Sequence, residues 1–495
     1  MALSGLRQRR CTKLEQVFGN RLGWIRINAI ALRKRAGTLW PLQELPERDS
    51  NMQGKRFFRA VAGLGLTILG PMVVWASLNI EFEEYDLPNG LHVILHRNTD
   101  APVVSTYMLY HVGSKDERPD RTGFAHFFEH LMFEGSENID RGQIDKLISG
   151  AGGNLNASTS FDRTDYYINL PSNELELALW IESERLLHAV VDETGVETQR
   201  EVVKEERRSR YDNQPYGSLM ENMAAAVFAN TSYAWTPIGS AQYIDEATID
   251  EFREFYKKWY VPNNAILSIA GDIDIEKTKR LVDRYFGEIP KGPEPDRVDI
   301  DWQLDVDGLQ KIVEEPMTPL PATVHIWRAP LLTHGDAEAI DLLISILANG
   351  KSSRMYRRLV DVERAAVNSA AFTWLQEKAG LVAAYAIGNR GVTIEQLDRL
   401  IEEEVQKLID DGVTDREFQK ALNQKEAEIA SSIGTMSSRA QSLAYYYQWY
   451  GDTGRINKEL ESYRSVTKED LQRVAKEILV RDRRNTLHYP VPGGE

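Results

Sequence analysis

The sequence predicts an α+β fold made of two comparable units. Three observations carry the prediction. Along the body, short strand-like runs interleave with longer runs of helical spacing, and they do so in both halves. The stretch Pro290-Lys291-Gly292-Pro293-Glu294-Pro295 separates those halves and has linker chemistry. The length, 495 residues, exceeds what one hydrophobic core ordinarily serves. With 42% hydrophobic and 27% charged residues, the chain falls in the soluble globular class.

From the N-terminus, residues 1–59 hold 13 Lys/Arg against 4 Asp/Glu, a balance of +9, which leaves −24 on the rest of a chain of net charge −15. So acidic a body argues against nucleic acid as a partner. Residues 1–51 read as an over-long or disordered extension ahead of Met52. Residues 52–78 hold Lys55-Arg56-Phe57-Phe58-Arg59, an apolar run from Ala60 to Ala76, and small residues around Val74-Trp75-Ala76. That pattern is a secretory signal, which places the body in the periplasm or otherwise outside the cytoplasm. Two alternatives stay open: an uncleaved anchor over residues 57–78 facing the periplasm, or an organelle transit peptide in the Arg-rich stretch 1–40. Cys11 is the one cysteine, so a metal site in the body must use His and carboxylates.

In the first unit, 79–290, a turn at Asn89-Gly90 precedes a strand-like run to Leu95, and Val103–Val112 reads as a second strand. A helix is expected from Gly123 with Thr122 as its N-cap, and further helices over 174–191 and 197–210. Ala265–Ala270 has strand character and Ile275–Phe286 helical spacing. Beyond a linker at 291–300, the second unit, 301–490, offers strands at 323–327 and 381–387 and helices at 336–347, 394–411 and 414–433. The similar make-up of the halves suggests a duplicated unit, although residue-level repetition is weak.

The chemistry concentrates in His126-Phe127-Phe128-Glu129-His130. Histidines four apart on a helix share a face, so both imidazoles can reach one metal, and Glu129 lies near that face. A catalytic zinc takes three protein ligands and keeps one position for a water, whose proton a neighbouring carboxylate can accept. At this composition an H-x-x-E-H match is expected by chance ~0.01 times per chain. A third ligand must come from elsewhere. The run Gln199–Arg208 taken alone reads as a solvated charged helix.

With these motifs the sequence resembles the pitrilysin, insulysin and mitochondrial processing peptidase family of zinc peptidases, in its bacterial, exported half-length branch. That family carries H-x-x-E-H and, well downstream, a ligand Glu in a run like V-V-x-x-E. Here Val202-Val203-Lys204-Glu205-Glu206 supplies the run, and Glu206 stands 76 residues after His130. The resemblance therefore implies one Zn2+ per chain on His126, His130 and Glu206, with Glu205 the fallback and Glu129 the catalytic base. It extends over nearly all of 80–490 through Gly113–Glu117, Gly152–Thr159, Asp162–Tyr167, Asn213–Gly217 and Pro262–Ala265. It implies two homologous domains, each a mainly antiparallel sheet packed with helices. It also implies an edge strand at Asn154–Tyr167 that pairs with peptide substrates, with Asn154, Asn156, Ala157 and Ser158 as the contact residues.

The chain departs from that family in two places. Many members have a second Glu where this chain has Gln199, seven residues before Glu206, which alters the hydrogen bonding behind a ligand. Self-sufficient members bring an Arg and a Tyr from the second half to the active site; the aligned positions here are Val360 and Val367, which donate nothing. Arg364 and Tyr356 are nearby but wrongly spaced. The resemblance thus implies a heterodimer in which a homologous, metal-free partner supplies Arg and Tyr, with a homodimer as the alternative. A non-catalytic structural or assembly subunit is the rival function, and metal storage or sensing a third that would have no need of Glu129. His111 reads as structural, with a pocket role as the alternative, His188 as a packing or surface histidine, and Tyr445–Tyr450 as a core or interface run.

Overall fold

The computed structural model describes residues 79–303 and 308–493; the extension 1–51 with Cys11, and the signal-like or anchor-like segment 52–78, lie outside the described residues. Strands β1 (Glu83–Asp86), β2 (His92–Arg97), β3 (Val103–Tyr110), β4 (Asn154–Thr159), β5 (Thr164–Pro171) and β6 (Ala265–Gly271) form one sheet in the order β1-β2-β6-β3-β5-β4. Strands β7 (Gln310–Ile312), β8 (Ala322–Ala329), β9 (Ala366–Leu375), β10 (Gly380–Gly388) and β11 (Asn485–Tyr489) form a second sheet in the order β7-β11-β8-β10-β9.

Apart from β1, the second order repeats the first with every strand moved on by five. Each sheet has one parallel pair, β2 with β6 and β7 with β11, and all its other pairs are antiparallel. The fold is therefore α+β with two homologous, mainly antiparallel sheets.

Asn89-Gly90 makes the expected turn. Gly90 sits at φ +89°, a conformation that favours glycine, and Leu87 N–H donates to the Leu91 carbonyl at 2.9 Å. Alternation along β3 divides the first sheet into two faces. Val104, Met108 and Tyr110 point into a core that includes Phe127, Phe128, Leu179 and Phe252. Tyr107 and Leu109 point to the other face, which the helix Met436–Tyr450 of the second half covers with Ala440, Leu443 and Ala444. The linker is pinned to the first half: Gly292 N–H donates to Asn263 Oδ1 at 2.8 Å, and Asn263 Nδ2 to the Pro293 carbonyl.

Four helices frame the site: α1 (Phe124–Leu131), α2 (Ile144–Gly150), α3 (Leu175–His188) and α4 (Glu193–Arg207), the last running into a π-turn at Arg208–Asp212. The N-cap of α1 differs from expectation. Gly123 holds that position at φ +99°, and the donors it leaves are taken by a distant carboxylate: Glu117 accepts from Gly123 N–H at 2.9 Å and Ala125 N–H at 2.8 Å. Thr122 Oγ1 instead accepts from Ser240 N–H. No helix among the described residues is long and apolar enough to cross a membrane.

Candidate metal centre

α1 presents His126 and His130 one turn apart, their rings 4.9 Å between centroids and nearly perpendicular. α4 crosses beside it, anchored by Val196 and Val203 in the first-half core, and directs Glu206 at both. One carboxylate oxygen of Glu206 lies 3.5 Å from His126 Nε2 and 3.2 Å from His130 Nε2. The donor atoms of the three lie within 4.8 Å of one another, and among the described residues they are the only such group of three or more His, Cys, Asp or Glu. Two imidazole nitrogens and one carboxylate are a donor set that suits zinc and leaves a fourth position open. Glu205, the fallback, points outward and pairs with Arg208 at 3.3 Å.

Burial works against ionisation of Glu206, but His130, His126 and Arg210 outweigh it and hold the carboxyl down to about 2. Arg210, four residues on, reaches its other oxygen at 2.6 Å. Burial lowers His130, yet the Glu206 and Glu129 carboxylates carry it above the ordinary histidine value. Glu129 goes the opposite way from Glu206. Burial lifts it, and the Thr159 hydroxyl, His130 and Arg163 only partly oppose the rise. Two neighbouring carboxyls are thus pushed apart, Glu206 below and Glu129 above the ordinary carboxylate range.

Thr159 is a contact that sequence reading missed. Its Oγ1 donates to Glu129 Oε2 at 2.6 Å from the last residue of β4, the edge strand of the sheet. Leu155 and Ala157 share its face and pack on the first-half core. Asn154, Asn156 and Ser158 project from the opposite face. Asn154 Oδ1 accepts from Asn169, while Ser158 donates to Asp165 and accepts from Arg163. Their side chains therefore turn away from Glu129. Gln199 stands two turns before Glu206, with Oε1 at 3.1 Å from His130 Nδ1.

Other residues singled out in the sequence fall elsewhere. Val360 packs on the second-half core, and Val367 is half exposed on β9. Arg364 is solvent-exposed. His111 Nε2 meets Glu377 at 2.7 Å, and His188 pairs with Glu137 at the surface.

This arrangement defines a half-length protein of two homologous sheets with one His-His-Glu centre in its first half. The family described as Insulinase (Peptidase family M16) matches residues 92–239, and the one described as Peptidase M16 inactive domain matches 246–425. The chain belongs to the M16, or pitrilysin, family of peptidases, in its half-length bacterial branch.

Zinc protease PqqE of Helicobacter pylori is 29% identical over 438 residues, covering 87% of this chain and 98% of the relative. An uncharacterised zinc protease of Bacillus subtilis, YmxG, is 23% identical over 408 residues, covering 81% and 96%. A crystal structure of a Helicobacter pylori protease superposes with TM-score 0.78 at 29% identity, covering 83% of this chain and 99% of its own. The periplasmic protease PqqL of Escherichia coli shares the fold, with TM-score 0.69 at 18% identity, covering 84% of this chain and 48% of its own.

Proposed function

We propose that this protein is a zinc metalloendopeptidase cleaving peptides or unfolded segments. His126, His130 and Glu206 hold one zinc ion per chain, and Glu129 acts as the general base. The observation that carries the reading is the convergence of the two imidazoles and Glu206 beside a separate, raised carboxylate on the same helix. Bound zinc supplies Lewis-acid polarisation of a scissile carbonyl and eases deprotonation of water. Glu129 accepts the proton of the attacking water and returns it to the leaving amine.

β4 supports the substrate side of the reading. As the last strand of its sheet it offers a row of main-chain groups to an added strand. An extended peptide bound there runs alongside Thr159, which touches Glu129. Asn154, Asn156, Ala157 and Ser158 then act through their backbone, which favours loose sequence preference.

The division into a metal-bearing half at 79–290 and a metal-free half at 301–490, joined at 291–300, belongs to this reading. Val360 and Val367 leave the chain without the Arg and Tyr of self-sufficient members, so a homologous partner subunit completes the site in a heterodimer; a homodimer is the alternative. The signal-like segment 52–78 supports export to the periplasm, the compartment named for PqqL.

The test is cleavage of a quenched peptide mixture by the full chain, with and without a chelator, alongside Glu129→Gln. The variant should retain one zinc per chain and lose about 10²–10⁴-fold in rate. Cleavage at the wild-type rate by zinc-loaded Glu129→Gln would remove the mechanism. A zinc-loaded, folded wild type that cuts nothing alone points to the missing partner.

A further inference from the structure

The two ring nitrogens of His130 have different neighbours. Nε2 faces Glu206 at 3.2 Å, on the ligand side, while Nδ1 lies 3.1 Å from Oε1 of Gln199. For Nε2 to offer a lone pair, Nδ1 must hold the proton and donate it. A neutral amide does not enforce this by itself, because a Gln can rotate and present its NH2 in place of its oxygen. Here the next residue outward blocks that rotation. Nε2 of Gln199 donates to Oε1 of Glu134 in a short hydrogen bond. An ionised carboxylate only accepts, so the amide nitrogen faces Glu134 and the amide oxygen faces His130.

Glu134 is itself held in place. It is 7% exposed and ion-paired with Arg141, whose Nη2 donates to Asp192 Oδ1 at 2.9 Å. The same oxygen accepts Gly195 N–H at 2.7 Å as the N-cap of α4. Gly195 leaves room for the assembly: a Cβ there would stand 3.1 Å from Arg141 Nη2 and 3.5 Å from Cγ of Glu134. The chain of contacts begins at His130 and ends at the start of the helix that carries Gln199 and Glu206.

Resting on the zinc-ligand assignment above, we propose that Glu134 is a positioning residue for the metal centre. Through the Gln199 amide it fixes His130 with its proton on Nδ1, and it supplies the negative charge that Gln199 lacks. Arg141 balances that buried charge, and Asp192 ties the relay to α4.

The test is zinc affinity of the full chain, read by competition with a chelating indicator. Glu134→Gln should weaken zinc binding by about 10–100-fold, as loss of a partner behind a ligand does. Gln199→Met, at a half-buried position, should do the same and serves if Glu134→Gln folds poorly. The double variant Glu134→Gln/Gln199→Glu returns a carboxylate to His130 and should regain most of the lost affinity.

A structural role for Glu134 through Arg141 alone predicts no rescue from position 199. The proposal is overturned if Glu134→Gln binds zinc as wild type does, or if the double variant binds no tighter than Glu134→Gln. His126→Ala keeps the two readings apart. Failure of that variant to reduce zinc binding overturns the ligand assignment and the relay with it, whereas a normal loss there beside an inert Glu134→Gln overturns the relay alone.

Discussion

Glu129 sits among groups that pull its ionisation in opposite directions. Burial raises it, while the Thr159 hydroxyl, His130 and Arg163 lower it, and burial prevails. Thr159→Val removes one of the opposing groups, so the carboxyl rises further. In the proposed role of general base Glu129 must be ionised, so activity is lost as pH falls through its pKa. The acid limb of kcat/KM should therefore move to higher pH in Thr159→Val. On that limb the rate should fall by about tenfold, the order of one charge-assisted hydrogen bond of about 1.5 kcal/mol, with zinc content unchanged. A pH–rate profile superimposable on wild type would show that the hydroxyl does not act on the base. At this scale, legibility in the sequence followed chain distance. His126, Glu129 and His130 share one helical turn, and helical periodicity alone places them together. Arg210 was equally within reach, four residues from Glu206. The contacts of Thr159 with Glu129 and of Glu134 with Gln199 span 30 and 65 residues, and no local spacing rule joins either pair.

At the scale of elements, the eight-residue helix α1 is too short to stand alone, and its position depends on how its ends are held. Thr122 had the chemistry of an N-cap, but the left-handed turn at Gly123 aims its hydroxyl at Ser240 instead. Gly239 packs so closely that a Cβ there would lie 2.3 Å from Gly123 N, which keeps that turn in place. The buried Glu117 carboxylate takes over the capping, steadied by Trp235 Nε1 at 3.1 Å. Glu117→Ala leaves two buried main-chain donors, Gly123 N–H and Ala125 N–H, short of an acceptor, while Trp235 Nε1 keeps the Ser114 carbonyl at 2.9 Å. It should cost about 2–4 kcal/mol, against about 1 kcal/mol for Thr122→Ala, measured by urea unfolding. Equal losses in the two variants would return the capping role to Thr122. The helices at 394–411 and 414–433 were legible nearly to the residue because Thr393 and Thr414 cap them locally, each accepting from a main-chain N–H three residues on. The start of α1 was not, because its cap is tertiary.

For the molecule as a whole, the repeated strand order shows a duplicated unit, yet the halves are not separable bodies. The sequence conveyed the duplication only as similar composition, because what the halves share is the order and direction of strands rather than residues. The aromatic run at Tyr445–Tyr450 had no legible address for the same reason: its partners in the first half lie hundreds of residues away. Tyr447 stacks on His92 at 3.4 Å between centroids, the Tyr445 hydroxyl lies 3.1 Å from that of Tyr107, and Arg163 stands over the Tyr445 ring. Beneath them Ile94, Leu109, Ile266 and Ala270 are buried against the helix Met436–Tyr450. A second tie is ionic. Glu377, in the β9–β10 hairpin, meets His111 at 2.7 Å and the wholly buried Lys115 at 3.2 Å. Lys115 also meets Asp116 at 3.1 Å and Asp162 at 3.7 Å. Residues 79–290 expressed alone would uncover that apolar face, at about 1.5–3 kcal/mol for each large aliphatic or aromatic side chain returned to water. Lys115 would lose one of its three carboxylates in the same step. A domain is only marginally stable to begin with, so losses of this size exceed its reserve. The isolated first half should therefore keep far-UV helix and strand signal but bind a hydrophobic dye, lack a near-UV spectrum and melt without a cooperative transition. Zinc should then bind weakly or not at all, because α1 and α4 are held in register by the core that loosens. A sharp, two-state transition of residues 79–290 with wild-type zinc affinity would show instead that the second half serves the substrate or a partner and not the stability of the metal centre.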